Sequence, residues 1–166
     1  MIKSVFLAVS MMVPTIAAAN CYGAGQTLFS CGFSNGKSVH VCLSKSDEVT
    51  YRFGVKGEEP ELELVRQASD VHMQPWHGVG RAIWEVIRVT NSGYAYEMSY
   101  SIDRMDETIP IYGSLTVLRG DETLAILECV EGTVARHDFS PLFEAKEQAG
   151  QNWCANEQTW SFKDCQ

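Results

Sequence analysis

Residues 82–102 read AIWEVIRVT-NSG-YAYEMSYSI, two runs rich in β-branched and aromatic side chains joined by Asn91-Ser92-Gly93. Successive side chains of a strand point to opposite faces, and a short Gly-containing loop supplies the positive φ angles that a tight β-turn needs. Ala82 to Thr90 and Tyr94 to Ile102 are therefore expected to pair as an antiparallel hairpin.

The same grammar extends in both directions. Leu28 to Phe33 and Lys37 to Leu43 flank Asn35-Gly36, and Val49 to Gly54 and Glu61 to Arg66 flank a turn through Gly57 and Pro60. Ile111 to Leu118 and Thr123 to Val130 flank Arg119-Gly120-Asp121-Glu122. Only residues 141–149 read as helix, entered through Ser140 as N-cap with Pro141 in the first helical place and closed by Gly150. Eight candidate strands and one short C-terminal helix predict an all-β, mainly antiparallel fold, either sandwich or barrel. No repeat or linker divides the chain, so residues 20–166 are expected to form a single β domain.

The N-terminus reads as an export signal. Lys3 carries one positive charge, Val5 to Ile16 is largely apolar, and Ala17-Ala18-Ala19 offers the small side chains a signal peptidase admits. Residues 1–19 are thus expected to be a cleavable signal peptide, since the apolar run falls short of the roughly 20 residues that span a bilayer. Asn20 before Cys21 departs from the small residue that lipid modification requires, which argues against a lipoprotein. The expected location is periplasmic or secreted, with no membrane insertion after cleavage.

Charge narrows the partners. Lys and Arg number 13 against 21 Asp and Glu, a formal net charge of −8, and cleavage removes one lysine and no acid. An anionic surface disfavours nucleic acid and favours cationic partners.

All six cysteines (Cys21, Cys31, Cys42, Cys129, Cys154 and Cys165) fall after the signal. An even set in an exported chain reads as disulfides. Proximity in sequence favours Cys31 with Cys42 and Cys154 with Cys165, leaving Cys21 for Cys129, although spacing alone does not choose among the alternatives.

Local signatures of catalysis are absent: the chain has no G-x-S-x-G elbow, no H-E-x-x-H and no phosphate loop. His72 and His77, with Asp70, offer three potential zinc ligands, but in a loop spacing that reads better as surface. Asp103, Asp106 and Glu107 do not follow a calcium-loop pattern. Gly78-Val79-Gly80-Arg81 lacks the third glycine of a dinucleotide loop and precedes a strand. No cofactor is expected. A hydrolase would need Asp70, His72, His77 and His137 to converge, and a small apolar ligand would need Trp76, Trp84, Trp153 and Trp160 to line one cavity.

Two resemblances add to this. Cys31-x-Phe33-x-Asn35-Gly36-Lys37-x-Val39-x-Val41-Cys42, with Tyr51-Arg52-Phe53-Gly54, Glu61-Leu62, the run from Gly78 to Tyr96, Gly113 to Val117 and Cys129, resembles a family of small exported Gram-negative β proteins without a settled function. That likeness implies one fold unit, export and a Cys31–Cys42 bond, and no activity. Ser92-Gly93-Tyr94-Ala95-Tyr96 is similar to the S-G-x-x-Y loop of periplasmic lysozyme inhibitors. It implies a protein-binding loop of Ser92, Gly93, Tyr94 and Tyr96 that enters the cleft of a cell-wall hydrolase. The combined expectation is a non-enzymatic binding or inhibitory protein, or an immunity protein against a peptidoglycan-degrading enzyme, whose partner is a cationic cell-wall hydrolase. The alternatives are an envelope hydrolase and a structural or small-ligand-binding envelope protein.

Overall fold

Ten strands form two five-stranded antiparallel sheets. The computed structural model describes Cys21 and residues 25–166, so the expected signal peptide lies outside the described residues. The first sheet contains β1 (Gln26–Gly32), β2 (Lys37–Leu43), β3 (Glu48–Val55) and β4 (Leu62–Gln67) as a meander. A 3-10 turn at Ala68–Asp70 then leads into the second meander. It comprises β5 (His72–Gln74), β6 (Ala82–Asn91), β7 (Tyr94–Asp103), β8 (Ile111–Arg119) and β9 (Glu122–Glu128). The chain then returns to the first sheet, where β10 (Arg136–His137) pairs with the free edge of β1. Helix α1 (Ser140–Gln148) and a hairpin of β11 (Asn152–Cys154) and β12 (Thr159–Ser161) complete the order. Among the described residues no helix is long and apolar enough to cross a membrane.

One core lies between the sheets. Val39, Val41, Val49, Tyr51 and Leu64 from the first meet Ile87, Val89, Met98, Tyr100 and Leu115 from the second, with Phe139, Leu142 and Ala145 at one side. The strand positions among these keep the period-two alternation that the sequence displays. The two ladders stay separate apart from one isolated bridge between Phe33 and Cys129, which makes the fold a sandwich and not a closed barrel.

The helix starts at Ser140 rather than being capped by it. Asp138 accepts the Ser140 N–H at 3.1 Å, two residues upstream of the expected cap. Its C-terminus follows the expectation closely: Gly150 has φ 87°, its N–H bonds the Glu147 carbonyl, and the Gln151 N–H bonds that of Lys146. These are the paired bonds of a Schellman motif.

The disulfides are Cys21–Cys42, Cys31–Cys129 and Cys154–Cys165. The expected Cys31–Cys42 and Cys21–Cys129 bonds are thereby corrected, and the ladder supplies the reason. Cys31 faces Val39 across β1 and β2 and shares its inward direction, whereas Cys42 faces Thr27 and points to the opposite face with Ser38 and His40. A disulfide cannot pass through a sheet. Cys31 instead crosses the core to Cys129, which lies at the end of β9.

Gly113 of β8 makes room for that crossing. A Cβ there would stand 2.9 Å from both Cys129 Sγ and Val134 Cγ2, and 3.3 Å from Phe29 Cζ. Gly113→Ala is expected to destabilise the fold by about 1–3 kcal/mol through overpacking. Urea denaturation of the two proteins measures this, and matching midpoints would refute the packing account.

Candidate functional site: a clamped hairpin tip

The turn between β6 and β7 holds only two residues. Asn91 pairs with Tyr94, and Ser92 and Gly93 take φ values of 51° and 81°. Two left-handed residues in succession suit the right-handed twist of the flanking strands, and asparagine or glycine usually fills the first place. Serine there costs about 1 kcal/mol relative to glycine.

Arg66, on the facing edge strand β4, fastens this tip. Its guanidinium donates to the Thr90 carbonyl from Nε at 3.2 Å and from Nη2 at 2.9 Å, to Asn91 Oδ1 at 3.2 Å, and to its neighbour's Val65 carbonyl at 2.7 Å. On the other flank the Arg119 guanidinium lies over the Tyr94 ring at 5.5 Å. Strand alternation carries Tyr96 inward, where it packs on Tyr51 with centroids 5.3 Å apart. Burial pushes the Tyr51 hydroxyl well above its usual range, so it stays neutral. Ser92 and Gly93 are therefore the exposed apex, and Tyr94 forms a half-buried shoulder. The two arginines carry no signal in the sequence, because their contacts exist only once the sheets stack and β8 aligns with β7.

The other residues weighed for chemistry are dispersed. Asp70 and His72 border a shallow recess with Lys146, Gln151 and Trp160. The His77 ring packs edge-on against Trp84 at 5.8 Å. His137 packs against the Tyr100 ring at 5.1 Å. Burial lowers the basicity of His72, helped by the nearby Arg88 and Lys146 charges. Trp153 and Trp160 stack on each other beside α1, with the Trp160 indole N–H donating to the Met73 carbonyl, while Trp84 lies on the opposite face of β6 from the core. The four tryptophans therefore line no common cavity. Among the described residues no group of three His, Cys, Asp or Glu side chains could hold a metal ion.

One half-buried carboxyl lies near His137. Glu85 points inward from β6 and accepts the Tyr100 hydroxyl at 2.7 Å and the Trp76 backbone N–H. Burial raises its pKa, and the two donors only partly offset this. The pair closes the core beside Phe139.

Comparison with protein-family models, curated proteins and solved structures gives no match to this chain. What the fold and the tip define is a class: a disulfide-stapled, two-sheet β protein of the kind found outside the cytoplasm.

Proposed function

We propose that this chain is a non-enzymatic binding protein of the periplasm or exterior, which inhibits or neutralises a cationic cell-wall-cleaving enzyme through the hairpin tip around Ser92. The observation that carries the reading is the serine at positive φ, in a place where glycine or asparagine would be more stable, directly after the Thr90-Asn91 segment that Arg66 braces. Unfavourable backbone geometry retained at an exposed, braced apex is a common mark of recognition sites. A preorganised hydroxyl there can donate to the carboxylates of a muramidase cleft with little ordering cost. The acidic surface would speed encounter with a basic partner.

The experiment mixes the mature protein with a panel of muramidases and amidases and follows both lysis and complex formation by size-exclusion chromatography. Ser92→Gly is expected to raise folding stability by about 0.5–1 kcal/mol and to weaken the complex roughly tenfold by removing a hydrogen bond to a charged group. Opposite signs in the two measurements are the signature of a binding serine. Absence of any complex across the panel, or an unaltered complex with Ser92→Gly, would overturn the reading.

A further inference from the structure

The outward face of the second sheet bears a recess remote from the hairpin tip. Ile87 and Val89 of β6 point into the core, so Trp84 and Val86 point away from it. The ladder sets Trp84 opposite Ser101 of β7, and Ser101 opposite Tyr112 of β8. The adjacent row runs Val86, Ser99, Ser114 and Glu128. Two aromatic rings thus flank the stretch of β7 whose outward side chains are Ser99 and Ser101. Together Trp84, Ser99, Ser101, Tyr112, Ser114 and Glu128 line an open cavity of about 300 Å³. The His77 ring braces Trp84, Ser99 and Ser114 bond each other at 2.9 Å, and Tyr112 stands 58% exposed.

We infer that this recess is a glycan-binding subsite that takes one uncharged pyranose ring. Trp84 and Tyr112 are two strand spacings apart, about 9–10 Å at the backbone. Carbon contact with both faces of an inserted ring needs walls about 7–8 Å apart, so the two side chains would have to lean slightly toward each other to grip it. A pyranose brings flat C–H faces to those walls and hydroxyls around its rim. The rim meets Ser99, Ser101 and Ser114, with the Glu128 carboxylate as acceptor at one end. A purely apolar ring would strip water from these groups and return no hydrogen bonds. A phosphorylated or carboxylated ligand would bring its charge against Glu128. The recess lies six to eight residues along β7 from Gly93, roughly 20–26 Å, so the assignment stands independently of the proposed role of Ser92.

Isothermal titration of the mature protein with cellotetraose and with an N-acetylglucosamine tetrasaccharide tests it, with N-acetyltryptophanamide as the apolar probe. At least one glycan is expected to saturate with a dissociation constant on the order of 0.1–1 mM. Tyr112→Ala should weaken it roughly tenfold, Tyr112→Phe should retain it and Ser92→Ala should leave it unchanged. Ser101→Leu fills the floor from the solvent side and should abolish binding while thermal unfolding stays close to that of the wild type. No saturation below about 20 mM with either glycan, full binding by Tyr112→Ala, or tighter binding of N-acetyltryptophanamide would each overturn the inference.

Discussion

Replacing Cys31 and Cys129 together by alanine is expected to cost about 4–5 kcal/mol of folding stability, the largest loss of any disulfide in the molecule. The bond spans 98 residues, against 21 for Cys21–Cys42 and 11 for Cys154–Cys165. In the loop-entropy model the constraint on the unfolded chain grows with the logarithm of that span, which puts the other two nearer about 3 kcal/mol. Position adds to length. Cys31 lies in β1 of one sheet and Cys129 at the end of β9 in the other, so this bond alone among the three ties the two sheets across their shared core. Its removal also vacates the space that Gly113 leaves for the sulfur. For a chain of this size the loss corresponds to a fall in Tm of roughly 10–15 °C. Guanidinium denaturation of the three alanine pairs gives the ranking directly. A smaller loss for Cys31/Cys129 than for Cys154/Cys165 would show that the unfolded chain does not set the stabilisation.

The sequence made the eight longer strands legible because each is six residues or longer, most alternate, and the turns through Asn35-Gly36, Gly57 to Pro60, Asn91-Ser92-Gly93 and Gly120 separate them in pairs. Residues 82–91 and 94–103 extend the expected hairpin by one position on each strand, Asn91 at the turn and Asp103 at the outer end. The strands that alternation could not reveal are β5, β10, β11 and β12, with only two or three residues apiece. Arg136-His137 becomes a strand only because β1 offers it an edge. Disulfide pairing failed for a related reason. A turn from Phe33 to Gly36, with Gly36 at φ 80°, sets the register of β1 on β2 and sends Cys31 and Cys42 to opposite faces. A one-residue change of register reverses every such assignment. At the tip, Ser92-Gly93 was readable as turn chemistry, while Arg66 was not, since the strand it braces belongs to the other sheet. The outward recess combines both cases. Trp84 and Tyr112 each sit where alternation places them, but their meeting across Ser101 depends on two registers at once.

Lys146→Ala is expected to destabilise the protein by about 3–5 kcal/mol, because it removes a buried stem and the donor that three backbone carbonyls share. Only 1% of this lysine is exposed. Its Nζ donates to the carbonyls of Ala68 and Ser69 at 3.2 Å and of Val71 at 2.6 Å, and lies 4.9 Å from the centre of the Trp160 ring. These carbonyls belong to the 3-10 turn and the residue after it, where the chain passes from the first sheet into the second, so Lys146 ties α1 to the junction beside Gln151, whose side chain also donates to the Ser69 carbonyl. Burial lowers the ammonium pKa to about 8, with Asp70 opposing the shift. The sign of the resulting pH dependence follows. Between about pH 8 and the ordinary lysine value of about 10.4 the unfolded chain binds more protons at this site than the folded one, so stability rises with pH. Tyr51 and Tyr100, whose hydroxyls are held neutral by burial, oppose the trend only as the unfolded tyrosines ionise, near pH 10. Wild type should therefore gain on the order of 1–2 kcal/mol relative to Lys146→Met between pH 8 and 9.5. Urea midpoints of both proteins across that interval provide the measurement. Parallel curves would mean that Lys146 ionises in the fold as it does in water.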